Sequence, residues 1–290
     1  KYTWIDYNMA PKSAKLPDRN AYVVSEITWT IFSSTDMVVL SVFVSTAMSS
    51  VYSVYNMVFV ALSGLLNSIY QASVYNLGLA YHESIEKYRK LHDTFNSVFM
   101  ASITVLMSVS YIMIIPFVKL YTNGVTDIEY IYKFLPLCFC MVQMLTWSRY
   151  VGGNLIGVAG RQKPAVKINI IEAIINAVLS IILVNIFGIT GVLIATVCAL
   201  PLKVFYCNFI SDIKIIQRKP WKTISILGVN YLIFGIVVLL SQRLKINIVN
   251  FYEFFGCAIV LTVIFAFITF SINCLINRDI LRTLRMVKRR

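Results

Sequence analysis

The chain has 290 residues, 58% hydrophobic and only 13% charged, with a formal net charge of +13 and a mean hydropathy of +0.75. A water-soluble domain carries about twice that charged fraction, so a soluble globular protein is excluded and the composition fits lipid as solvent. Only helices and closed barrels satisfy their backbone in hydrocarbon. The apolar runs last about 20 residues and lack the alternation of barrel strands, so the expectation is an all-α integral membrane protein with about eight transmembrane helices.

In chain order, residues 1–20 are polar, contain Pro11 and Pro17, and read as a linker. The start at Lys1 rather than Met is what a fragment of a longer protein shows. The first span is predicted at 22–46 and the second at 50–80. The polar stretch 81–93 reads as a loop, which makes His82 and His92 solvated loop histidines. Further spans are predicted at 94–118, 131–159, 165–187, 191–210, 223–241 and 251–276. The turn at 159–164 and the stretch 211–222 separate spans, and 277–290 is a basic tail.

Twenty Lys and Arg fall in the linker, in the tail and in the connections near residues 87, 161 and 218. Four (Lys119, Lys133, Arg243, Lys245) fall on the opposite set of loops. This asymmetry predicts that both ends of the chain are cytoplasmic. It also makes the positive charge a signal of topology and of contact with anionic membrane lipids, not of nucleic-acid binding. The six cysteines lie inside apolar runs without a CxxC pair and read as small buried hydrophobes.

Asp36, Arg149 and Glu172 are the ionisable groups expected at membrane depth, where such groups face a cavity or a partner. Polar residues recur at helical spacing on four spans. These are Ser25, Trp29, Ser33 and Asp36; then Tyr52, Asn56, Ser63, Asn67 and Tyr70; then Ser97, Thr104, Ser108 and Tyr111; and finally Asn169, Glu172, Asn176 and Ser180. Four stripes favour a bundle lining a wet cavity, with hydrogen-bonding glue between helices as the alternative. Arg149 and Glu172 flank the turn at 161–163 at similar distances, so an antiparallel pair sets them at one depth for an ion pair. Gly153 and Gly157 form a GxxxG step that lets the fourth and fifth spans approach. Lys203 reads as a residue that snorkels to the interface. There is no nucleotide loop, nucleophile–base constellation or metal-spaced cluster, so neither an enzyme nor a cofactor is expected.

The segments STDMVVLSVF (34–43), SVYSVYNMV (50–58), IPFVKLYTNGVTDIEY (115–130), AGRQKPAVKINIIEAIINAVLSIILV (159–184) and FGITGVLIAT (187–196) together resemble the polysaccharide (O-antigen or capsule repeat-unit) flippases. These belong to the multidrug/oligosaccharidyl-lipid/polysaccharide exporter superfamily. The resemblance implies one six-helix transporter lobe (21–210), two additional helices (223–276) and an inter-lobe linker (1–20), with a six-helix N-terminal lobe missing as partner. It implies a bacterial cytoplasmic membrane and an undecaprenyl-pyrophosphate-linked oligosaccharide as substrate, moved between leaflets by alternating access. On this reading Arg149 contacts the pyrophosphate, with Asn154, Asn56 and Asn67 as further candidates for substrate contact. Asp36, Glu172 and Asn176 are candidates for charge balance or ion coupling. Two other readings stay open: a cation-coupled drug or metabolite exporter of the same superfamily, and a non-transporting scaffold of a polysaccharide-assembly complex.

Overall fold

Main-chain groups in hydrocarbon need partners within the protein, and helices supply them within one segment. The computed structural model describes residues 19–243 and 248–280, and all its regular elements there are helical. In order they are α1 (Arg19–Phe43), α2 (Thr46–Glu83), α3 (Ile85–Tyr121), α4 (Leu135–Ser148), α5 (Tyr150–Val158), α6 (Gln162–Phe187), α7 (Ile189–Ile210), α8 (Trp221–Ser241) and α9 (Phe251–Ile276). A π-helical turn, Ser211–Ile215, extends α7. Among the described residues, seven helices (α1–α3 and α6–α9) are long and apolar enough to cross a membrane. The protein is therefore an all-α, multi-pass membrane protein. Most of the linker, Lys245 and most of the basic tail lie outside the described residues.

Two expectations need correction. The span expected at 131–159 is not one helix, because α4 and α5 meet at Arg149, whose main chain ends one and begins the other. The stretch 81–93, expected as a loop, is helical except at Ser84. There the Ser84 hydroxyl caps α3 by accepting the Glu86 N–H. Glu83 of α2 pairs with Lys87 of α3 across the break, and Glu86 pairs with Lys90 one turn along α3. His92 accordingly sits on α3, buried, 3.3 Å from Asp93, and is not a solvated loop residue.

α6 packs against α7 and α1, while α3 packs against α2, α4, α8 and α9. The α6–α7 hairpin is tight because Gly191 abuts the Leu183 carbonyl, where a Cβ would collide with the main chain. The α3 stripe lies away from the cavity between α1, α2, α5, α6 and α7, and two of its members, Ser97 and Thr104, bond neighbouring segments. Thr104 bonds Asn230 (3.1 Å), Asn230 bonds Asn273 of α9 (3.0 Å), and Ser97 accepts from Asn277 (3.1 Å). These buried amides and hydroxyls hold α8 and α9 on α3, so Ser97 and Thr104 of this stripe are glue.

The two ends of the bundle differ. At one, called here the basic end, Arg218 in the α7–α8 connection donates to both oxygens of Asp93 (2.7 Å each) and to Asp212 (2.7 Å), while Lys222 lies 3.0 Å from Asp93. Burial works against the Arg218 charge, but the bonds and charges of Asp93 and Asp212 outweigh it and hold the guanidinium above its ordinary range. At the opposite end, the Tyr55 hydroxyl donates to the Tyr130 carbonyl (3.0 Å) and accepts the Tyr132 N–H (3.1 Å). Below that clasp, Tyr55 and Phe59 stack on Phe139.

Candidate functional site

A cavity of about 670 Å³ runs from Tyr22 and Gln162 near the basic end to Trp29, Arg149 and Lys203 deeper in the bundle. The helices α1, α2, α5, α6 and α7 line it. Its inner end forms where α4 gives way to α5. Beside the joint, side chains of neighbouring elements donate to main-chain carbonyls. Asn208 of α7 donates to the Ser148 carbonyl (3.2 Å), the Tyr70 hydroxyl of α2 to Tyr150 (3.4 Å), and Ser211 of the π turn to Gly152 (2.6 Å).

Gly152 makes the approach of α5 to α7 possible. A Cβ there would stand 2.8 Å from the Cys207 carbonyl, whereas Gly153 and Gly157 meet nothing closer than 3.5 Å. The close approach is therefore made at Gly152 and to α7, and not by the GxxxG step between the fourth and fifth expected spans. Gly152→Val is expected to push α5 off α7 and cost about 1–3 kcal/mol. A lowered unfolding midpoint of the detergent-extracted protein checks this, with Gly153→Ala near the wild-type value as the contrast.

At the break Arg149 is 3% exposed. Its guanidinium donates to Glu172 of α6 at 2.7 Å and lies 5.1 Å from the centre of the Trp29 ring, a cation–π distance. Lys203 of α7 approaches the other oxygen of Glu172 at 3.8 Å. One buried carboxylate thus holds two cations at the wall of the cavity. An arrangement of this kind offers forked and pointed donors to an anion, with Glu172 balancing charge when no anion is present. One turn nearer the basic end, Asn169 donates to Ser25 (3.1 Å), and its carbonyl oxygen is buried without a protein partner. Asn154 also lines the cavity, with its amide nitrogen unpartnered.

Asp36 belongs to a separate cluster. It accepts from the Tyr52 hydroxyl (3.3 Å) and lies 3.1 Å from the Thr196 hydroxyl, which accepts from Asn176 (2.8 Å). The Asn176 carbonyl oxygen and the Ser180 hydroxyl, one turn along α6, are buried without a protein partner.

The stripes of α1 and α6 therefore converge as expected, but on two sites and not one. Arg149, Glu172 and Asn154 gather at the cavity and its wall, while Asp36 and Asn176 gather at the second cluster. The α2 stripe divides. Tyr70 lines the cavity, Ser63 donates to Gln143 of α4 (2.9 Å), and Asn67 is exposed and receives a bond from Gln71 on its own helix. Asn56 is half-buried, and neither it nor Asn67 lines the cavity. Two charged cavity residues stand outside the sites expected from the sequence: Lys203, read there as snorkelling, and Glu26. For Lys203 the signal is its spacing of seven from Thr196, which puts it on the face of α7 that carries the other polar contacts, and for Glu26 its spacing of three from Trp29. Compared with models of protein families, with curated proteins and with solved structures, the chain matches none.

Proposed function

We propose that the protein exports a lipid-linked oligosaccharide across a bacterial cytoplasmic membrane by alternating access, with its basic end in the cytoplasm. The observation that carries this reading is the Arg149–Glu172–Lys203 centre on the wall of a polar cavity at membrane depth. Ionisable groups there are costly and accompany substrate paths. A diphosphate entering from the basic end meets the Arg149 fork and the Lys203 ammonium. Hydroxyls and amides of Tyr22, Ser25, Asn154 and Asn169 stand nearer the mouth, where the first sugars would lie. The lining carries one carboxylate, Glu26, beside the cations Arg149 and Lys203, and the two cations gather at the inner end with Glu172 behind them. The activity is proposed for the whole transporter, including any lobe beyond this chain.

The test is the leaflet location of the lipid-linked oligosaccharide in cells with and without the full-length gene. Accumulation on the cytoplasmic leaflet after deletion, reversed by complementation, is the expected result. An unchanged distribution in a strain without a redundant flippase would overturn the reading.

One observation favours ion coupling as part of the cycle. Asp36 is buried among Tyr52, Thr196 and Asn176, with no Lys or Arg within ion-pair distance among the described residues. A carboxylate so placed is satisfied by a proton or a small cation. Asp36→Asn is expected to leave the protein inserted and to remove the dependence of transport on the ion gradient.

A further inference from the structure

On the other side of α7 from the cavity lies a second concavity, a crevice of about 350 Å³ between α7 and α8. The two sites use different faces of α7. Lys203 and Cys207 border the cavity, while Pro201, Val204, Phe205 and Phe209 border the crevice. Pro220, Ile224, Leu227, Gly228 and Tyr231 form its α8 wall, and the surface it presents is wholly apolar. It opens sideways toward lipid, since Phe205 on its lip is 61% exposed.

Length and charge bear on what it would accept. From Pro220 to Tyr231 is eleven helical steps, about 16 Å, and half of a hydrocarbon core of about 30 Å is about 15 Å. The crevice therefore begins at the basic end and stops near the bilayer midplane, the reach of one chain of one leaflet. A helix of a second copy would run on past that depth. At the rim, Lys219 and Trp221 flank Pro220 and are both exposed, Trp221 at 70%. A lysine and an indole at that height are the pair that meets lipid headgroups.

We propose that this crevice binds one acyl chain of an anionic glycerophospholipid from the leaflet at the basic end, with the phosphate against Lys219 and Trp221. Lodged there, the lipid fills the gap between the α6–α7 pair and the α8–α9 pair that α3 carries. Gly228 keeps the crevice open, and an added Cβ at that position meets nothing within 4 Å beyond its own stretch of helix. A large side chain there therefore occupies the lipid's place without colliding at its base.

The test uses the full chain in vesicles of phosphatidylethanolamine with phosphatidylglycerol as the minor component, one or the other brominated in its acyl chains. Subtracting the signal of Trp221→Phe isolates the quenching of Trp221 from that of the other tryptophans. Brominated phosphatidylglycerol is expected to quench Trp221 with about fivefold preference over brominated phosphatidylethanolamine, the gain that one lysine provides at an anionic surface. The preference falls to parity in Lys219→Gln and in Gly228→Phe, with Gly228→Leu replacing the latter if it fails to fold. Equal quenching by both lipids in the wild-type protein overturns the proposal. So does a preference that survives in Gly228→Phe, which would mean headgroup attraction with no chain in the crevice. Trp221 shielded from both lipids until the protein is diluted in excess lipid gives the site to a second copy. Loss of the preference on adding a trace of polyprenyl phosphate gives it to an isoprenoid chain. Either result also overturns the proposal.

Discussion

Arg218→Met is expected to destabilise the protein by about 3–5 kcal/mol, the cost of leaving a buried ionic partner uncompensated. Arg218 holds two carboxylates together, both oxygens of Asp93 and one of Asp212, and both aspartates are almost fully buried. Asp93 keeps Lys222 and His92 when the guanidinium is gone, but Asp212 loses its ion-pair partner among the described residues, and its other oxygen is already unpartnered. The measurement is the unfolding midpoint of the extracted protein, expected to fall by about 10 °C. Adding Asp212→Asn to Arg218→Met removes the stranded charge and is expected to restore part of the loss. A midpoint within a degree of wild type in the single variant would show that the network contributes no net stability. The network joins α3, the π turn and α8, so its loss loosens the attachment of α8 to the rest of the bundle.

Arg149→Ala acts on transport. If the anion of the substrate is held by the guanidinium, its removal forfeits a charged hydrogen bond of about 1.5–3 kcal/mol, roughly a 10- to 150-fold fall in flux at limiting substrate. Glu172 keeps Lys203 as a cation at 3.8 Å, so insertion and yield are expected near wild type. Arg149→Lys retains the charge without the fork and is expected to fall between the two. Leaflet-resolved flux, normalised to protein in the membrane, is the readout. Undiminished flux in Arg149→Ala would remove the residue from any substrate role and leave its bond to Glu172 as structural neutralisation.

Most of the helices were legible because hydrocarbon thickness imposes a length on apolar runs. For α6 to α9 the expected and observed ends agree within a few residues, and for α9 they coincide. The joint at Arg149 was not legible, because its cause is distant in sequence. Asn208, Tyr70 and Ser211 reach across from other elements to the carbonyls of 148–152. The hairpin around Ser84 is hidden for the opposite reason. Polarity marks the exit from lipid and not the end of a helix, and a charge pair one turn apart, Glu86 with Lys90, supports α3 outside lipid. Asn56 and Asn67 show the limit of a polar stripe as a signal. A helical period fixes which residues share a face, but not whether that face meets a cavity, a neighbouring helix or nothing. The pairing of Arg149 with Glu172 was readable from their distances to a shared turn, because an antiparallel hairpin converts sequence separation into depth.

The lengths of α2 and α3 carry a mechanical consequence. At 38 and 37 residues they measure about 57 and 55 Å, against a hydrocarbon core of about 30 Å. Their charged ends meet at Ser84 at the basic end, where Leu77, Ala80 and Tyr88 pack on Ile215 and Ile216. A helix of that length is a lever. A 10° tilt of α3 about its middle moves the Ser84 end through about 5 Å. A label at Ser84 would therefore magnify, at a site remote from substrate, rearrangements too small to follow at the cavity itself.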